Sequence, residues 1–518
     1  MNSRTTEKYL YAILSGAMLT ASFPPGRLEF LAWGALVPLL RSLDHSPAKQ
    51  CFRLGLLSGF FHYLTLTYWM IVVLEHYGNI DLSLSLSILM LLCLYLSLYS
   101  AVFAWGASFL RNTSFEPLSL ASLWVGLEYL RAKLLTGFPW CLLGHSQYKH
   151  PILIQLADVT GVYGVSFVLV LSSATLYIVF FRRAFKLSAY FKKEIPVALA
   201  IGVFLLAYGH YRLSVFKQDG RRVRVSIVQG NIDQSIKWNP AYQEKTIQTY
   251  TKLTRKASRL KPYLIVWPET SVPFFFQSNP EMASKVVKVS EESNCYLIFG
   301  SPAFLKKNGE MKYFNRAYLL SPEGSVLGYY DKVHLVPFGE YVPLKKFLPF
   351  VNKLVVAAGD FAPGEKIEPL KIPGLAAGVL ICYEAIFPEI SRKQTIKGAQ
   401  VLVNLTNDAW YGMTSAPFQH FSMGVFRAVE NRRPLIRAAN TGFSGFISAE
   451  GRIVERGDLF TEETLTREIK LPKRSLTIYT RYGDFFAYLV LLITIINFFY
   501  RLCYLKIKNY LWRGAKIS

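Results

Sequence analysis

The chain has 518 residues, of which 52% are apolar and 18% are charged, and its formal net charge is +24. With a mean hydropathy of +0.25, this composition excludes an ordinary soluble protein, and the length predicts more than one structural unit. A positive charge of this size is typical of nucleic-acid binding or of a membrane protein with basic cytoplasmic loops. The positions of lysine and arginine therefore decide between these two classes.

The cysteines indicate neither a zinc site nor a disulfide framework, because they form no CxxC pair and follow no regular spacing. We therefore expect no metal and no cofactor. Three of them lie in or beside apolar stretches, where we interpret them as packing residues: Cys51, Cys93 and Cys503. The other three are Cys141, Cys295 and Cys382.

Long stretches without charge occur mainly in the first 215 residues. A helix needs about 20 mostly apolar residues to cross a bilayer, so these stretches predict membrane spans. They cover 9–26, 54–74, 82–110, 159–181, 195–211 and 485–500. Two shorter stretches, 31–40 and 117–127, are ambiguous by length alone.

Basic residues cluster at the ends of these stretches and predict the topology. The clusters are Arg4 and Lys8; Arg41, Lys49 and Arg53; Arg182, Arg183, Lys186, Lys192 and Lys193; and Arg501, Lys506, Lys508, Arg513 and Lys516. The positive-inside tendency places all of them in the cytoplasm, so an even number of crossings separates consecutive clusters.

This parity requires 31–40 to complete a second span and 117 to about 135 to form a fourth. It predicts eight spans, seven within 1–215 and one within 483–518, which ends in a basic cytoplasmic tail. Arg27, Arg131 and Lys133 fall near the outer side and disagree with this scheme.

The first apolar stretch continues through Pro24-Pro25 into further membrane sequence, which favours a retained span over a cleaved signal peptide. The basic residues flank spans and do not alternate with aromatic residues on a soluble face. We therefore expect no nucleic-acid partner.

Residues 216–482 have a different character and lie outside the cytoplasm by the same parity, which in a bacterium means the periplasm or the outer face of the membrane. Short apolar strands alternate with amphipathic helical segments, a pattern typical of an α/β domain. The predicted strands are RVRVSIV (222–228), YLIVW (263–267), CYLIFG (295–300), AYLLS (317–321), GVLICY (378–383) and VLVNL (401–405).

Three polar residues follow strands of this domain, where a scaffold commonly presents reactive groups. Each alone has an ordinary structural reading: Cys382 as core, Glu269 as a solvated or capping residue, and Lys332 as surface. Together they supply a thiol, a carboxylate that can take its proton, and a cation for a tetrahedral oxyanion. The set therefore predicts covalent catalysis by cysteine.

The order of these residues in WPE, DKVHLVPFGEY and ICYE resembles the catalytic triad of the nitrilase superfamily. Longer strings across the chain resemble the apolipoprotein N-acyltransferase family. They are TGFPW (136–140), VQGNIDQ (228–234), PFGEYVP (337–343), LICYE (380–384), NLTNDAWYG (404–412) and RAVENRRPLIRAANTG (427–442).

This resemblance implies a four-layer αββα sandwich carried by a membrane helical bundle in the bacterial inner membrane. It also implies a reaction in which the sn-1 acyl chain of a phospholipid passes to the α-amine of an S-diacylglyceryl cysteine. That cysteine is the first residue of a diacylated apolipoprotein. The implied partners are therefore the diacylated apolipoprotein, as acceptor, and a phospholipid, as donor.

By the same resemblance, Cys382 is the nucleophile, Glu269 the general base and Lys332 the oxyanion cation. Glu340 lies near them, Tyr383 and Glu384 shape the site, and the backbone N–H of Tyr383 is a second oxyanion donor. Aromatic residues of the implied substrate entrance are Trp238 and Trp140. The segment Met413–Pro417 departs from the family pattern, so no role is assigned within it.

Two other classes of protein fit parts of the pattern. A membrane-tethered amidase or nitrilase would share the triad and differ in using water as the acyl acceptor. A transporter or receptor would need ionisable residues inside its spans, but the longest spans contain only His62 and His210. The sequence therefore favours the acyltransferase.

Overall fold

The computed structural model describes residues 3–111, 113, 115–181, 184–215, 220–307, 309–341, 361–472 and 475–514. They form two compact units. One comprises the chain up to Tyr68, Leu86–Leu213 and the chain from Asp484 onward; the other comprises Trp69–Ser85 and Ser214–Gly483. Arg182, Arg183 and Lys516 of the basic clusters, and 342–343 of the PFGEYVP string, lie outside the described residues.

The α-helices up to residue 215 are α1 (Ser3–Ala21), α2 (Val37–Ser42), α3 (Ala48–Leu66), α4 (Met70–Val72), α5 (Leu82–Leu110), α6 (Glu116–Lys133), α7 (Pro151–Ile154), α8 (Ala157–Thr160), α9 (Val162–Phe181) and α10 (Ala184–Val215). Short 3-10 helices cover Glu29–Trp33, Leu134–Thr136 and Leu143–Gln147, and a π-helix covers Val73–Tyr77.

Three described helical segments are long and apolar enough to cross a membrane: Leu82–Leu110, Val162–Phe181 and Glu194–Val215. A fourth candidate is the pair Ala48–Leu66 and Met70–Tyr77, which is bent by 55°. The described residues thus supply three or four of the eight predicted spans.

One predicted span differs from the structure. Residues 31–40 do not form one helix, because α2 begins at Val37 and Pro38 cannot continue a helix from the preceding turn. The six residues of α2 rise about 9 Å, far less than the bilayer core of about 30 Å. Residues 117–133 do lie in one helix, α6, which carries Glu116, Glu128, Arg131 and Lys133, and its crossing of the membrane stays a prediction.

Small residues bring helices of the first unit close together. A Cβ placed on Gly16 of α1 would lie 2.4 Å from the carbonyl oxygen of Ser58 in α3. One placed on Gly55 of α3 would lie 2.5 Å from Cβ of Ala104 in α5. Helices that lack a hydrophobic driving force between them associate through such close backbone contacts, as membrane helices do.

The second unit contains α11 (Pro240–Ser258), α12 (Pro280–Ser293), α13 (Pro388–Ile396), α14 (Ala416–Asn431) and α15 (Ile478–Tyr482). The last helix, α16 (Phe485–Gly514), belongs to the first unit. The strands are β1 (Arg222–Gln229), β2 (Leu264–Val266), β3 (Tyr296–Lys307), β4 (Glu310–Leu320), β5 (Val326–Asp331), β6 (Leu370–Ile372), β7 (Leu375–Ile381), β8 (Val401–Thr406), β9 (Leu435–Ala439), β10 (Gly445–Ile447), β11 (Ile453–Arg456) and β12 (Glu463–Lys470).

These strands form two six-stranded sheets, ordered β12-β1-β2-β3-β4-β5 and β11-β10-β9-β8-β7-β6. One buried apolar core joins residues of both sheets, including Val225 and Ile227 of β1 and Val379 and Ile381 of β7. The sheets therefore pack face to face.

Helices cover the outer faces of the sheets. A second apolar core joins the first sheet to Tyr250 of α11 and Val286 of α12, while α13 and α14 contact β7 and β9 of the second sheet. The inner strands are nearly continuous buried runs, such as LIV in β2 and VLVNLT in β8, so each presents buried side chains on both faces and both layers of contact form. The expected αββα order of layers is confirmed.

The strand directions bring the ends of several strands to one edge of the sandwich. β1, β2 and β3 run parallel in the first sheet, and β7, β8 and β9 run parallel in the second. Glu269 follows β2 and Cys382 follows β7, at carboxyl ends where α/β proteins commonly place their sites. Lys332 directly follows β5.

Candidate active site

Glu269 lies in the loop after β2 and is only 6% exposed. The loop can lie close to β3 because Gly300 has no side chain: a Cβ there would approach Cα of Glu269 to 2.8 Å. The amide Nδ2 of Asn315 donates a hydrogen bond to Oε1 of Glu269 at 2.8 Å. Burial raises the pKa of the Glu269 carboxyl, although the nearby Lys332 ammonium opposes the shift. A carboxylate of raised pKa is a better proton acceptor.

The ammonium of Lys332 is buried between two carboxylates. Its Nζ lies 3.0 Å from Oε1 and 2.9 Å from Oε2 of Glu340, and 3.7 Å from Oε1 of Glu269. Asn315 also donates to Oε1 of Glu340 at 3.0 Å and so bridges both carboxylates. Burial disfavours the ammonium, but Glu340 and Glu269 outweigh it and raise the pKa of Lys332. Lys332 therefore stays charged.

Cys382 occupies the turn directly after β7, where it opens the 3-10 helix Cys382–Ile386. Its φ of +51° is in the left-handed region, which is unfavourable for a residue with a side chain and is common at functional sites. Burial raises the pKa of the thiol to about 12; Glu269 adds to the shift and Lys332 opposes it. At neutral pH the thiol is protonated, so its reaction as a thiolate needs a base.

Glu384 fixes this turn to the segment that carries Lys332. Its carboxylate accepts hydrogen bonds from the backbone N–H of Ile381 at 2.7 Å, Val333 at 2.7 Å and His334 at 3.1 Å. The hydroxyl of Tyr330 donates to it at 3.1 Å. Burial nevertheless raises the pKa of Glu384 to about 7. One side chain thus holds the two sheets together beside the thiol.

Tyr383 lies beside Cys382 and is also buried. Its ring packs edge-on against Phe387, with centroids 5.1 Å apart. Burial raises the pKa of its hydroxyl, so the side chain is neutral. The structure therefore brings together six of the residues singled out in the sequence: Glu269, Lys332, Glu340, Cys382, Tyr383 and Glu384.

The two tryptophans lie elsewhere. Trp238 is half-buried before α11 and lines a pocket of about 610 Å³ together with Gln243, Phe274 and Phe275. Trp140 belongs to the first unit, where it is fully buried and its carbonyl accepts a hydrogen bond from Nη1 of Arg131 at 3.0 Å. Their predicted place at a substrate entrance stays a prediction.

A fully buried polar network lies behind Cys382, and the sequence analysis did not identify it. Arg437 donates to Asn404, and its Nη2 donates to Oδ2 of Asp408 at 2.7 Å. Nδ1 of His420 lies 3.0 Å from both Oδ1 of Asp408 and Nη2 of Arg437. Asn404 Nδ2 and His420 Nε2 reach the carbonyl oxygen of Cys382 at 3.4 and 3.3 Å.

The protonation of this network follows from its contacts. Burial opposes the negative charge of Asp408, but Arg437 and His420 outweigh it and lower the pKa of this carboxyl. Burial and Arg437 lower the pKa of His420, whereas Asp408 and the hydrogen bond to the Cys382 carbonyl raise it. A carbonyl only accepts hydrogen bonds, and therefore Nε2 of His420 carries the proton that it donates to Cys382.

Comparison with known proteins matches both parts of the chain. The model of the apolipoprotein N-acyltransferase N-terminal domain matches residues 15–175, and the carbon-nitrogen hydrolase model matches residues 224–479. An apolipoprotein N-acyltransferase of Geobacter metallireducens is 46% identical over 486 residues, which cover 93% of this chain and 92% of the relative. The chain belongs to the apolipoprotein N-acyltransferase family.

Other members of the apolipoprotein N-acyltransferase family are more distant. The one from Allorhizobium ampelinum is 34% identical, with 86% of each chain covered. Among solved structures, a carbon-nitrogen hydrolase of Helicobacter pylori G27 is 21% identical in sequence, and the match covers 48% of this chain and 89% of the hydrolase. Its TM-score is 0.37. Membership of this family, together with the apolar helices, makes the chain a membrane-bound acyltransferase.

Proposed function

We propose that this chain transfers the sn-1 acyl chain of a phospholipid, through a thioester on Cys382, to the amino-terminal amine of an S-diacylglyceryl-cysteine apolipoprotein. The main support is the buried thiol of Cys382, held in a left-handed turn beside one carboxyl and one ammonium group. A thiol, a base and a cation are the groups that acyl transfer through cysteine requires. The names of the relatives support an apolipoprotein as the acceptor of the acyl group, and the phospholipid donor is what the family resemblance implies.

In the first half-reaction, Glu269 accepts the proton of the Cys382 thiol, and the sulfur attacks the carbonyl carbon of the ester. The oxyanion that forms is stabilised by the Lys332 ammonium and the backbone N–H of Tyr383. When the intermediate collapses, the C–O bond of the ester breaks and the lysophospholipid alkoxide takes the proton from Glu269. Cys382 then holds the acyl group as a thioester.

In the second half-reaction, the acceptor amine attacks the thioester and loses a proton to Glu269. The C–S bond breaks, and the thiolate of Cys382 recovers this proton. Glu340 keeps Lys332 in place throughout, since both of its oxygens lie within 3.0 Å of Nζ. Glu384 keeps the turn at Cys382 and the segment after Lys332 at a fixed separation.

For the location of the reaction, we infer the periplasmic side of the bacterial inner membrane. The support is the basic cluster from Arg501 to Lys516, which the positive-inside tendency places in the cytoplasm, and the single apolar helix α16 that precedes this cluster and follows residues 216–482. Both substrates are lipids of that membrane, which explains why a hydrolase-like sandwich is joined to apolar helices.

The decisive experiment is intact-mass analysis of the purified protein after incubation with phospholipid alone. We expect one added acyl mass on the parent and none on Cys382→Ala. Cys295→Ala is the matched control. Cys295 is buried in the same unit, and its thiol donates a hydrogen bond to the carbonyl oxygen of Pro262. Release of free fatty acid without an adduct, and no transfer to diacylated lipoprotein, would instead favour an amidase-like hydrolase.

A further inference from the structure

A second lysine lies beside the triad and has no role in the reaction described above. Lys237 belongs to the loop between β1 and α11, and it is 1% exposed. Its Nζ donates to the backbone carbonyl oxygen of Glu269 at 3.2 Å. Within the described parts of the chain, no carboxylate forms an ion pair with it. Lys237 is thus a buried cation without an ionic partner.

Such a position is unfavourable, because burial removes the water that stabilises an ammonium. Burial lowers the pKa of Lys237 to about 8, and the charges of Glu269 and Cys382 oppose the shift. The side chain is therefore mostly protonated at neutral pH. A hydrophobic residue of similar length would fill this space at lower cost, so the ammonium points to a function.

The hydrogen bonds of the two lysines differ. Lys332 directs its ammonium to both oxygens of Glu340 and toward Glu269. Lys237 has three N–H donors, of which one binds the Glu269 carbonyl. The other two are uncommitted in the described structure and can respond to new negative charge.

The charges of the site also favour a second cation. When the thiol proton moves to Glu269, the negative charges are those of the Cys382 sulfur and Glu340. Lys332 balances only one of them. Glu384 adds no negative charge that Lys332 must balance, because its carboxylate accepts hydrogen bonds from three backbone N–H groups and from the hydroxyl of Tyr330.

We propose that Lys237 is the second cation of the active site and stabilises the negative charge that develops on Cys382 and on the tetrahedral oxyanion. This role rests on the proposed function. Lys332 remains tied to Glu340 during the reaction, while Lys237 turns its free N–H donors toward the new charge. Charge stabilisation of this kind is strong in a site that excludes water.

The test is the pH dependence of Cys382 alkylation by iodoacetamide, read by peptide mass spectrometry. The titratable groups that interact with this thiol are Glu269, Lys332, Asp408, Tyr411 and Lys237. Lys237→Met keeps the length of the side chain and removes the charge. We expect alkylation at neutral pH to be about tenfold slower and the pH profile to move upward. Lys237→Arg, which keeps the charge, should retain most of the parental rate.

The matched control is Lys252→Met, which removes an exposed lysine of α11 in the same unit. If Lys237→Met does not fold, Lys237→Gln replaces it as the uncharged variant in the alkylation experiment, since its amide can still donate to the Glu269 carbonyl. An unchanged profile in the folded uncharged variant would overturn the inference. If instead the parent itself gains no acyl mass from phospholipid, the proposed function fails, and alkylation still reports on Lys237.

Discussion

Nε2 of His420 lies 3.3 Å from the carbonyl oxygen of Cys382, so a histidine of α14 holds the backbone of the reactive cysteine. The carbonyl of Cys382 and the N–H of Tyr383 belong to the same peptide group. His420 binds the carbonyl of this group, and in the proposed mechanism the N–H faces the oxyanion. Arg437 and Asp408 fix the ring from its other nitrogen. The buried network therefore positions the donor and the nucleophile together.

Replacement of His420 tests this positioning. His420→Leu removes the hydrogen bond to Cys382 and leaves the triad residues in place, so we expect the rate of acyl-adduct formation to fall about tenfold or more. His420→Gln keeps an N–H donor and should retain a larger part of the rate. Rapid-quench mass analysis with phospholipid measures both variants, and equal rates for Leu and Gln would exclude a positioning role.

Glu269→Gln tests the base. The amide cannot accept the thiol proton, so we expect adduct formation to fall by at least about 10²-fold at neutral pH. Thermal unfolding in detergent should change little, because Asn315 can still bind the remaining side-chain oxygen. Glu281→Gln, an exposed change in α12, is the control. A folded Gln variant that acylates at the parental rate would show that another group takes the proton.

The sequence predicted the elements that have local signals. Short apolar runs predicted the strands, and motif order predicted that Glu269, Lys332 and Cys382 belong together. The network of Asp408, His420 and Arg437 was not predicted, although NLTNDAWYG contains Asp408 and RAVENRRPLIRAANTG contains Arg437. These residues meet only because β8, β9 and α14 pack together, and no spacing in the chain reports that contact.

Lys237 and the helical connections show the same limit. A lysine in a polar loop reads as surface, and only the fold shows that it is buried against Glu269. Residues 69–74 end the predicted span 54–74, yet Trp69 donates to Gln419 at 3.1 Å and packs on Tyr411 in the second unit. The length and composition of an apolar stretch predict that it is buried, but they do not predict which part of the fold it packs against.

The pKa of Glu384 predicts how stability depends on pH. Burial raises it to about 7 from an ordinary 4.5, so between these values the folded protein binds more protons at this site than the unfolded chain. Its contribution to stability is fully present below pH 4.5 and is lost as the pH rises toward 7. The loss is on the order of 3 kcal/mol.

Glu384→Gln should therefore flatten the change in unfolding temperature between pH 4.5 and 7. The variant should also be less stable overall, because an amide replaces one oxygen that accepts backbone N–H groups. Glu281→Gln should keep the parental slope. A Gln variant with the parental slope would assign the pH dependence to other groups.

The topology is tested by reporter fusions after Lys217 and after Lys516, both outside the described residues. Parity of the basic clusters predicts that a reporter active only outside the cytoplasm works at the first position and a cytoplasmic reporter at the second. The opposite result at either position would exclude the proposed orientation of the catalytic domain. A third fusion after Ser46, before α3, should report the cytoplasm.

The last prediction is kinetic and follows from one nucleophile serving two lipid substrates. If Cys382 holds the acyl group between half-reactions, donor and acceptor need not be bound together, and double-reciprocal plots should give parallel lines. The adduct formed with phospholipid alone should disappear with hydroxylamine, which cleaves thioesters, and diacylated lipoprotein should discharge it in a chase without donor. The thioester must outlast the exchange of substrates, so water has to be kept from Cys382, which is only 7% exposed. Intersecting lines, with no adduct under donor alone, would point to direct transfer between two bound lipids.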